Sequence, residues 1–229
     1  MTIKILGDVH GHHSQYLNLI QGIDYSVQLG DFGFNYECLK SLDSNKHKVL
    51  QGNHDNYDNK IPNFLGDFGT ISLDNLEFYF VRGGFSLDKV FRLEDERRTG
   101  YKSYWEEEEL SQKQGELALE DYTRTKPDIM LSHECPSSIT NLICSPGILK
   151  YFDLPPWFES NTQILLQKMY EVHQPKVWIH CHYHTHSIRK VGETLFVCLD
   201  ELDYIDIEKK DENVSFLYQG EEIFKMTNV

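Results

Sequence analysis

Gly7-Asp8-Val9-His10-Gly11, Gly30-Asp31-Phe32-Gly33 and Gly52-Asn53-His54-Asp55 each stand immediately behind a short, largely apolar run, at residues 3–6, 25–29 and 48–51. An apolar run of that length that stops at glycine reads as a buried strand entering a tight turn. The turn then presents a carboxylate, an amide or an imidazole. Two further apolar runs downstream end in histidines, without the glycines. His133 follows the run 128–132, and His180-Cys181-His182-Tyr183-His184-Thr185-His186 follows the run 176–179. One Gly-Asp pair is ordinarily only a turn, and one histidine only a surface or packing residue. Five strand ends that offer Asp, His, Asp, Asn, His and a His-x-His pair form a donor set for two adjacent divalent metals, and a metal pair suits the hydrolysis of phosphate esters.

The remaining pattern places these motifs in an α/β fold. Residues 14–22 have helical spacing with Leu17 and Ile20 inward, and 36–41 reads as a short helix. Strands and helices alternate as far as residue 65, which implies βαβ units and a buried sheet whose ligands gather at the carboxyl ends of the strands. Residues 68–73 and 76–82 read as a hairpin joined through Asp74-Asn75. Helices are expected over 110–124 and 162–173, the latter with Ile164, Leu165 and Met169 on one face, followed by short strands at 187–191, 194–199, 204–207, 215–218 and 222–225. The expectation is two packed sheets with flanking helices in a single domain, 1–229, carrying a charged, aromatic insertion at 85–111.

Composition narrows the partners. The chain carries 22 basic and 36 acidic residues, a formal charge of −14, with no basic stripe to displace counterions, so the expectation is against long nucleic acid and for small phosphorylated molecules. Its residues are 40% hydrophobic and 13% aromatic, enough for a packed core, yet no apolar run is long enough to span a bilayer. The chain opens in a strand rather than a basic-then-apolar leader, and its five cysteines follow no pairing pattern, so a reducing, cytoplasmic setting is expected. Cys135 and Cys181, although beside proposed donors, read as packing residues.

The ordered motifs resemble the calcineurin-like metallophosphoesterase superfamily, whose pattern runs Asp-x-His, Gly-Asp, Gly-Asn-His-Asp/Glu, His and Gly-His-x-His. The resemblance extends from Leu6 to His184, and Cys181 stands where the family has glycine. It implies an αββα sandwich in which Asp8, His10 and His184 hold one cation, Asn53, His133 and His182 hold the other, and Asp31 bridges both. Register must choose among the alternating histidines, and the family pattern together with the spacing from the strand selects His182 and His184. The resemblance further implies that His54 is the general acid and that Asp55 supports its cationic form. The mixed oxygen and nitrogen donors suit two transition ions (Mn, Fe, Zn or Ni, with Mn favoured) and argue against calcium. The activity implied is a metal-dependent phosphoric ester hydrolase, most simply a phosphomonoesterase attacking phosphorus in line. The alternatives are a phosphodiesterase of cyclic or short nucleotides and a non-catalytic scaffold.

The stretch Arg82-Gly83-Gly84-Phe85-Ser86-Leu87-Asp88, with Arg92, Arg97, Arg98 and Trp105-Glu106-Glu107, looks like a segment of bacterial and phage phosphatases of this superfamily. The acidic run 106–109 suits a helix N-terminus. Guanidinium groups clasp phosphate oxygens, so at least one of Arg92, Arg97 and Arg98 is expected to reach substrate, the competing reading being surface pairs with the neighbouring acids. Among the other histidines, His12 and His13 are expected near the site mouth facing solvent, His180 inside beside Trp178, His186 as a candidate phosphate contact, and His47 and His173 on the surface.

Overall fold

The computed structural model describes residues 1–144 and 146–227, Pro146 by its backbone alone. Among the described residues, twelve strands form two six-stranded sheets. The first has the order β12-β11-β10-β1-β2-β3, built from β1 (Thr2–Leu6), β2 (Tyr25–Gln28), β3 (His47–Val49), β10 (Tyr204–Lys210), β11 (Asn213–Tyr218) and β12 (Glu221–Thr227). The second has the order β4-β5-β6-β7-β9-β8, built from β4 (Phe68–Leu73), β5 (Leu76–Val81), β6 (Ile129–Ser132), β7 (Val177–His180), β8 (Ser187–Val191) and β9 (Thr194–Cys198). Strands β1, β2 and β3 are parallel, as are β5, β6, β7 and β9, and antiparallel strands complete both sheets.

Alternation along the strands builds the layers. Ile3, Ile5, Val27 and Leu29 of the first sheet pack against Phe78, Phe80, Ile129, Leu131, Val177 and Ile179 of the second. The intervening Tyr79, Val81, Met130 and Trp178 face the other way, onto Ala118 and Tyr122 of α3 (Gln112–Thr125) and Leu166 and Met169 of α6 (Asn161–Val172). On the outer side of the first sheet, Leu6 and Val49 pack with Tyr16 and Ile20 of α1 (His13–Ile20). The order helix, sheet, sheet, helix is the expected αββα sandwich.

Several boundaries differ for local reasons. Strand β3 stops at Val49 rather than at 51. Leu50 N still donates to Gln28 O at 2.8 Å, but the chain then turns into the site. Helix α3 starts at Gln112 because Ser111 and Gln114 form a capping box. The acidic run therefore does not open that helix; Glu106–Glu108 forms its own 3-10 turn. The insertion contains a helix, α2 (Lys89–Thr99), that ends at Gly100 with φ 76°. Two short helices, α4 (Ser137–Ile143) and α5 (Pro146–Tyr151), were not legible in the periodicity. Among the described residues no helix is long and apolar enough to cross a membrane.

Candidate dinuclear metal centre

The five strand ends converge in the crease between the sheets. Residues beyond β1, β2 and β3 bring Asp8, His10, Asp31 and Asn53; residues beyond β6 and β7 bring His133, His182 and His184. Four of these turn residues hold left-handed backbone: His10 (φ 45°), Asp31 (φ 54°), His182 (φ 74°) and His184 (φ 45°). Non-glycine residues adopt that region at a cost, and such strain concentrates at functional sites. Glycine allows the loops to approach this closely. A Cβ on Gly30 would sit 2.6 Å from His133 Nδ1, and one on Gly52 would sit 2.3 Å from Asp31 Oδ1.

Two of the donor groups that result share Asp31; a third group is Asp8, His133 and Cys181. In the first, His184 Nε2 lies 3.1 Å from Asp8 Oδ2, and His10 Nε2 lies 2.9 Å from His184 Nε2 and 3.7 Å from Asp31 Oδ2. In the second, His133 Nε2 lies 3.2 Å from Asp31 Oδ1, 3.0 Å from Asn53 Oδ1 and 3.1 Å from His182 Nδ1. Asp31 thus offers Oδ2 to one cluster and Oδ1 to the other. Asp8 Oδ2 is buried with no hydrogen bond of good geometry despite its close histidine. In each cluster the carboxylate and imidazole donor atoms lie within 4.8 Å of one another, close enough to share a cation.

The electrostatics fit as well. Burial alone would raise Asp31, but the charge and hydrogen bond of His133 outweigh it and hold the carboxyl low. Burial would likewise raise Asp8, and the imidazoles of His10 and His184 beside it outweigh that and hold it low. Burial would lower His133, yet the Asp31 carboxylate lifts it to about 9. Burial, reinforced by the charge of His133, lowers His182 to about 3, so this imidazole is a neutral donor. Behind the second cluster, His133 Nδ1 lies 3.1 Å from Leu29 O and 3.2 Å from Cys181 Sγ. The carbonyl orients the ring with Nε2 toward the site. Burial pushes the Cys181 thiol well up, and its sulfur packs behind the imidazole rather than in either cluster that contains Asp31.

His54 borders the clusters. Its backbone N–H donates to Asp31 Oδ1 at 2.7 Å, and its ring stands edge-on to His10 with centroids 5.4 Å apart. Burial lowers its pKa. The carboxylate that faces its Nε2, at 3.9 Å, belongs to Asp88 and not to Asp55. Asp55 is fully buried and accepts hydrogen bonds from Phe32 N (3.1 Å), Tyr36 Oη (2.9 Å) and Gly52 N (2.8 Å). Three local donors capture it, so it ties the motif loops together and does not hold the imidazole. Burial, with the charge of Asp31, raises it to about 7.

The arginines separate sharply. Arg97 and Arg98 are exposed, and Arg98 pairs with Asp95 at 2.5 Å one turn away on α2. Neither reaches the clusters. Arg92 is buried and lies behind Asn53 instead of over the substrate side: Nη1 donates to Asn53 O at 2.9 Å and to Ser86 Oγ at 2.5 Å, and Nη2 pairs with Glu108 at 2.9 Å. Asn53 Nδ2 donates to Ser86 Oγ at 3.2 Å, and Ser86 donates to Glu108 at 2.5 Å. Ser86 and Glu108 were missed in the sequence, where the only signal was a serine after paired glycines and an acidic run.

The other histidines stay outside the clusters. His12 pairs with Glu201 at 3.0 Å, whereas His13 is not solvent-facing as expected but stacks on Phe32 at 5.0 Å. His180 is buried at the end of β7 and its pKa falls to about 4 for that reason. His186 bonds Asp203 at 2.9 Å and stacks on Tyr218. His47 and His173 are partly buried rather than free on the surface, the first against Ser26 Oγ and the second against Pro127 O, each at 2.9 Å.

The chain belongs to the calcineurin-like phosphoesterase family, whose sequence model matches residues 1–186. The family is metal-dependent and binds divalent cations. Among curated proteins none matches. Similar solved structures include a conserved uncharacterized protein, predicted to be a phosphoesterase, from Streptococcus pneumoniae TIGR4, at 13% identity over 99% of this chain and 97% of that one with a TM-score of 0.45. An archaeal phosphodiesterase matches at 13% identity over 95% and 99% of the two chains with a TM-score of 0.42. Vacuolar protein sorting 29 from Cryptosporidium parvum matches at 10% identity over 99% and 97% with a TM-score of 0.44.

Proposed function

We propose that this chain is a phosphomonoesterase dependent on two divalent transition ions, with Mn favoured among Mn, Fe, Zn and Ni, acting on a small phosphorylated molecule. The observation that carries this reading is the division of Asp31, one oxygen to each donor cluster, with His54 beside both. A pair of bound cations supplies Lewis acidity and an acidified water for attack at phosphorus. The protein's part is to place them. Asp8, His10, Asp31 and His184 would hold one, and Asp31, Asn53, His133 and His182 the other. Neutral Asn53 in place of a further carboxylate leaves a net positive site that favours a phosphate dianion. His54, whose side chain is 31% exposed, is positioned to give its proton to the leaving oxygen, with Asp88 opposite to support the imidazolium. The complete donor set supports an enzyme over a non-catalytic scaffold, and the charge of −14 supports a small substrate over a long polyanion.

Metal analysis followed by turnover of para-nitrophenyl phosphate and its bis ester tests the reading. Close to two ions per chain are expected when metal is supplied, with faster cleavage of the monoester. Faster cleavage of the bis ester would transfer the assignment to a phosphodiesterase, and activity unaffected by exhaustive chelation would sink the metal-dependent mechanism.

A further inference from the structure

Gly84 lies directly over the second cluster. A Cβ there would come within 3.1 Å of His133 Cδ2 and 3.6 Å of Asn53 Oδ1 and of His182 Cε1. The next side chain, Phe85, leaves this point for a cavity of about 180 Å³ that His182 also lines. The cavity and the candidate metal centre therefore share a wall. Phe85 and Phe158, with ring centroids 4.8 Å apart, form an aromatic flank. Leu87, Leu149 and the Tyr183 ring continue the apolar part of the lining, and Ser137, Thr140, Asn141, Glu159 and Gln163 add polar groups to it. Glu134 is also part of the lining; it is buried and fixed by Ser160 Oγ at 2.9 Å. Glu134 Oε1 also faces His182 Nε2 at 3.9 Å, whereas the apolar side chains have no part in holding cations. Apolar walls next to a polar hydrolytic site serve whatever the phosphate is attached to.

The geometry points to this cavity as the leaving-group subsite, and we infer that the substrate is a phosphate ester of a single flat ring. The inference rests on the phosphoesterase reading above and adds the class of alcohol it releases. Size and surface argue for one ring. A cavity of ~150 Å³ accommodates benzene, and this one is only slightly larger, with apolar walls on one side and polar groups on the other that suit a ring bearing polar substituents. Paired aromatic side chains favour a planar face over a flexible chain. Simple alkyl phosphates would reach the metal centre without filling the cavity. Residues that set this preference come from three places distant in sequence: the start of the insertion (Phe85, Leu87), the α5 region (Leu149, Phe158) and the turn after β7 (Tyr183).

The test compares phenyl phosphate with ethyl phosphate on the Mn-loaded wild-type chain and on two variants. Leu149→Trp fills the cavity and Phe158→Ala removes part of its flank. Each is expected to cut kcat/KM for phenyl phosphate roughly tenfold or more, on the scale of lost apolar pocket contacts, and to leave ethyl phosphate within about twofold. Calorimetry with phenylphosphonate and ethylphosphonate supplies a readout that needs no turnover. Phenylphosphonate should bind the wild type more tightly, and Leu149→Trp should abolish the difference. If the wild type binds the two phosphonates equally, or the variants change both equally or neither, the subsite is wrong. If the phosphonates bind as expected but neither ester is hydrolysed, the subsite stands and the hydrolase assignment falls.

Discussion

Asn53 Nδ2 donates to Ser86 Oγ at 3.2 Å, and the direction of that bond decides which end of the amide faces the metal clusters. Ser86 has one hydrogen, and it goes to Glu108 at 2.5 Å, so the serine oxygen can only accept from Asn53 and from Arg92. The amide nitrogen is therefore turned away, and Oδ1 is presented to the second cluster beside His133 Nε2. Ser86→Ala should leave Asn53 free to flip. Second-site Mn affinity is expected to fall roughly 10–100-fold, the usual effect of losing a residue that orients a ligand, with the first site unchanged. Calorimetric titration of the metal-free protein resolves the two sites, and Ser86→Thr, which restores the hydroxyl, should recover the loss. Equal weakening of both sites would count against this assignment.

Arg92 should behave unlike its neighbours. Removing it leaves Glu108, which burial already raises to about 8, to take up a proton in place of its cation, and leaves Asn53 O and Ser86 Oγ without a buried donor, so the loss is expected to reach about 3 kcal/mol. Arg97→Ala and Arg98→Ala change exposed side chains, where effects stay within about 0.5 kcal/mol. Denaturant melts of the three variants should therefore show one large loss of stability and two negligible ones. Steady-state KM for para-nitrophenyl phosphate should also be unchanged in Arg97→Ala and Arg98→Ala. A severalfold rise in KM for either would place that arginine over the substrate after all.

What the sequence made legible follows from what each residue needs. The candidate donors could be read because each stands just beyond a strand, and Asp8, His10, Asp31 and Asn53 also stand beside a glycine; Gly30 and Gly52 mark close approaches that no side chain tolerates. The two-sheet core could be read because Ile3 and Ile5, or Phe78 and Phe80, alternate with period two. The family resemblance gives Asp55 to His54, yet its partners Phe32 and Tyr36 lie on another loop, and only the folded chain shows that they capture it. Arg92 looked like its neighbours Arg97 and Arg98, since an arginine on a charged helix gives no sign of which face is buried. The cavity beside His182 draws on residues from 85 to 183, and no local pattern encodes such an assembly.

Asp31 is the residue whose loss should be least local. With Oδ1 3.2 Å from His133 Nε2 and Oδ2 3.7 Å from His10 Nε2, it serves both clusters and also accepts the His54 N–H. Asp31→Ala is expected to lose both ions and all activity, whereas His184→Ala, touching the first cluster alone, should retain about one ion per chain. Elemental analysis of the two proteins after loading and desalting distinguishes these outcomes. Two ions retained by Asp31→Ala would mean that the clusters are not bridged.

His54 allows chemistry to be separated from metal binding. Its side chain belongs to neither cluster, so His54→Ala should keep both ions. As a proton donor to the leaving oxygen it should contribute roughly 10²–10⁴-fold in rate, and less for leaving groups that depart readily as anions. The variant should then be severely impaired on ethyl phosphate and only mildly on para-nitrophenyl phosphate. Asp88, 3.9 Å from His54 Nε2, supplies the second half of the argument. Asp88→Asn removes the charge that favours the imidazolium, so the acidic partner should lose its proton at lower pH and the alkaline limb of kcat should move downward. Asp55→Asn instead confronts three hydrogen-bond donors with an amide and should lower the melting temperature. If His54→Ala slows both esters by the same factor, or the Asp88→Asn profile does not move, His54 is not the acid and the leaving oxygen is protonated from elsewhere.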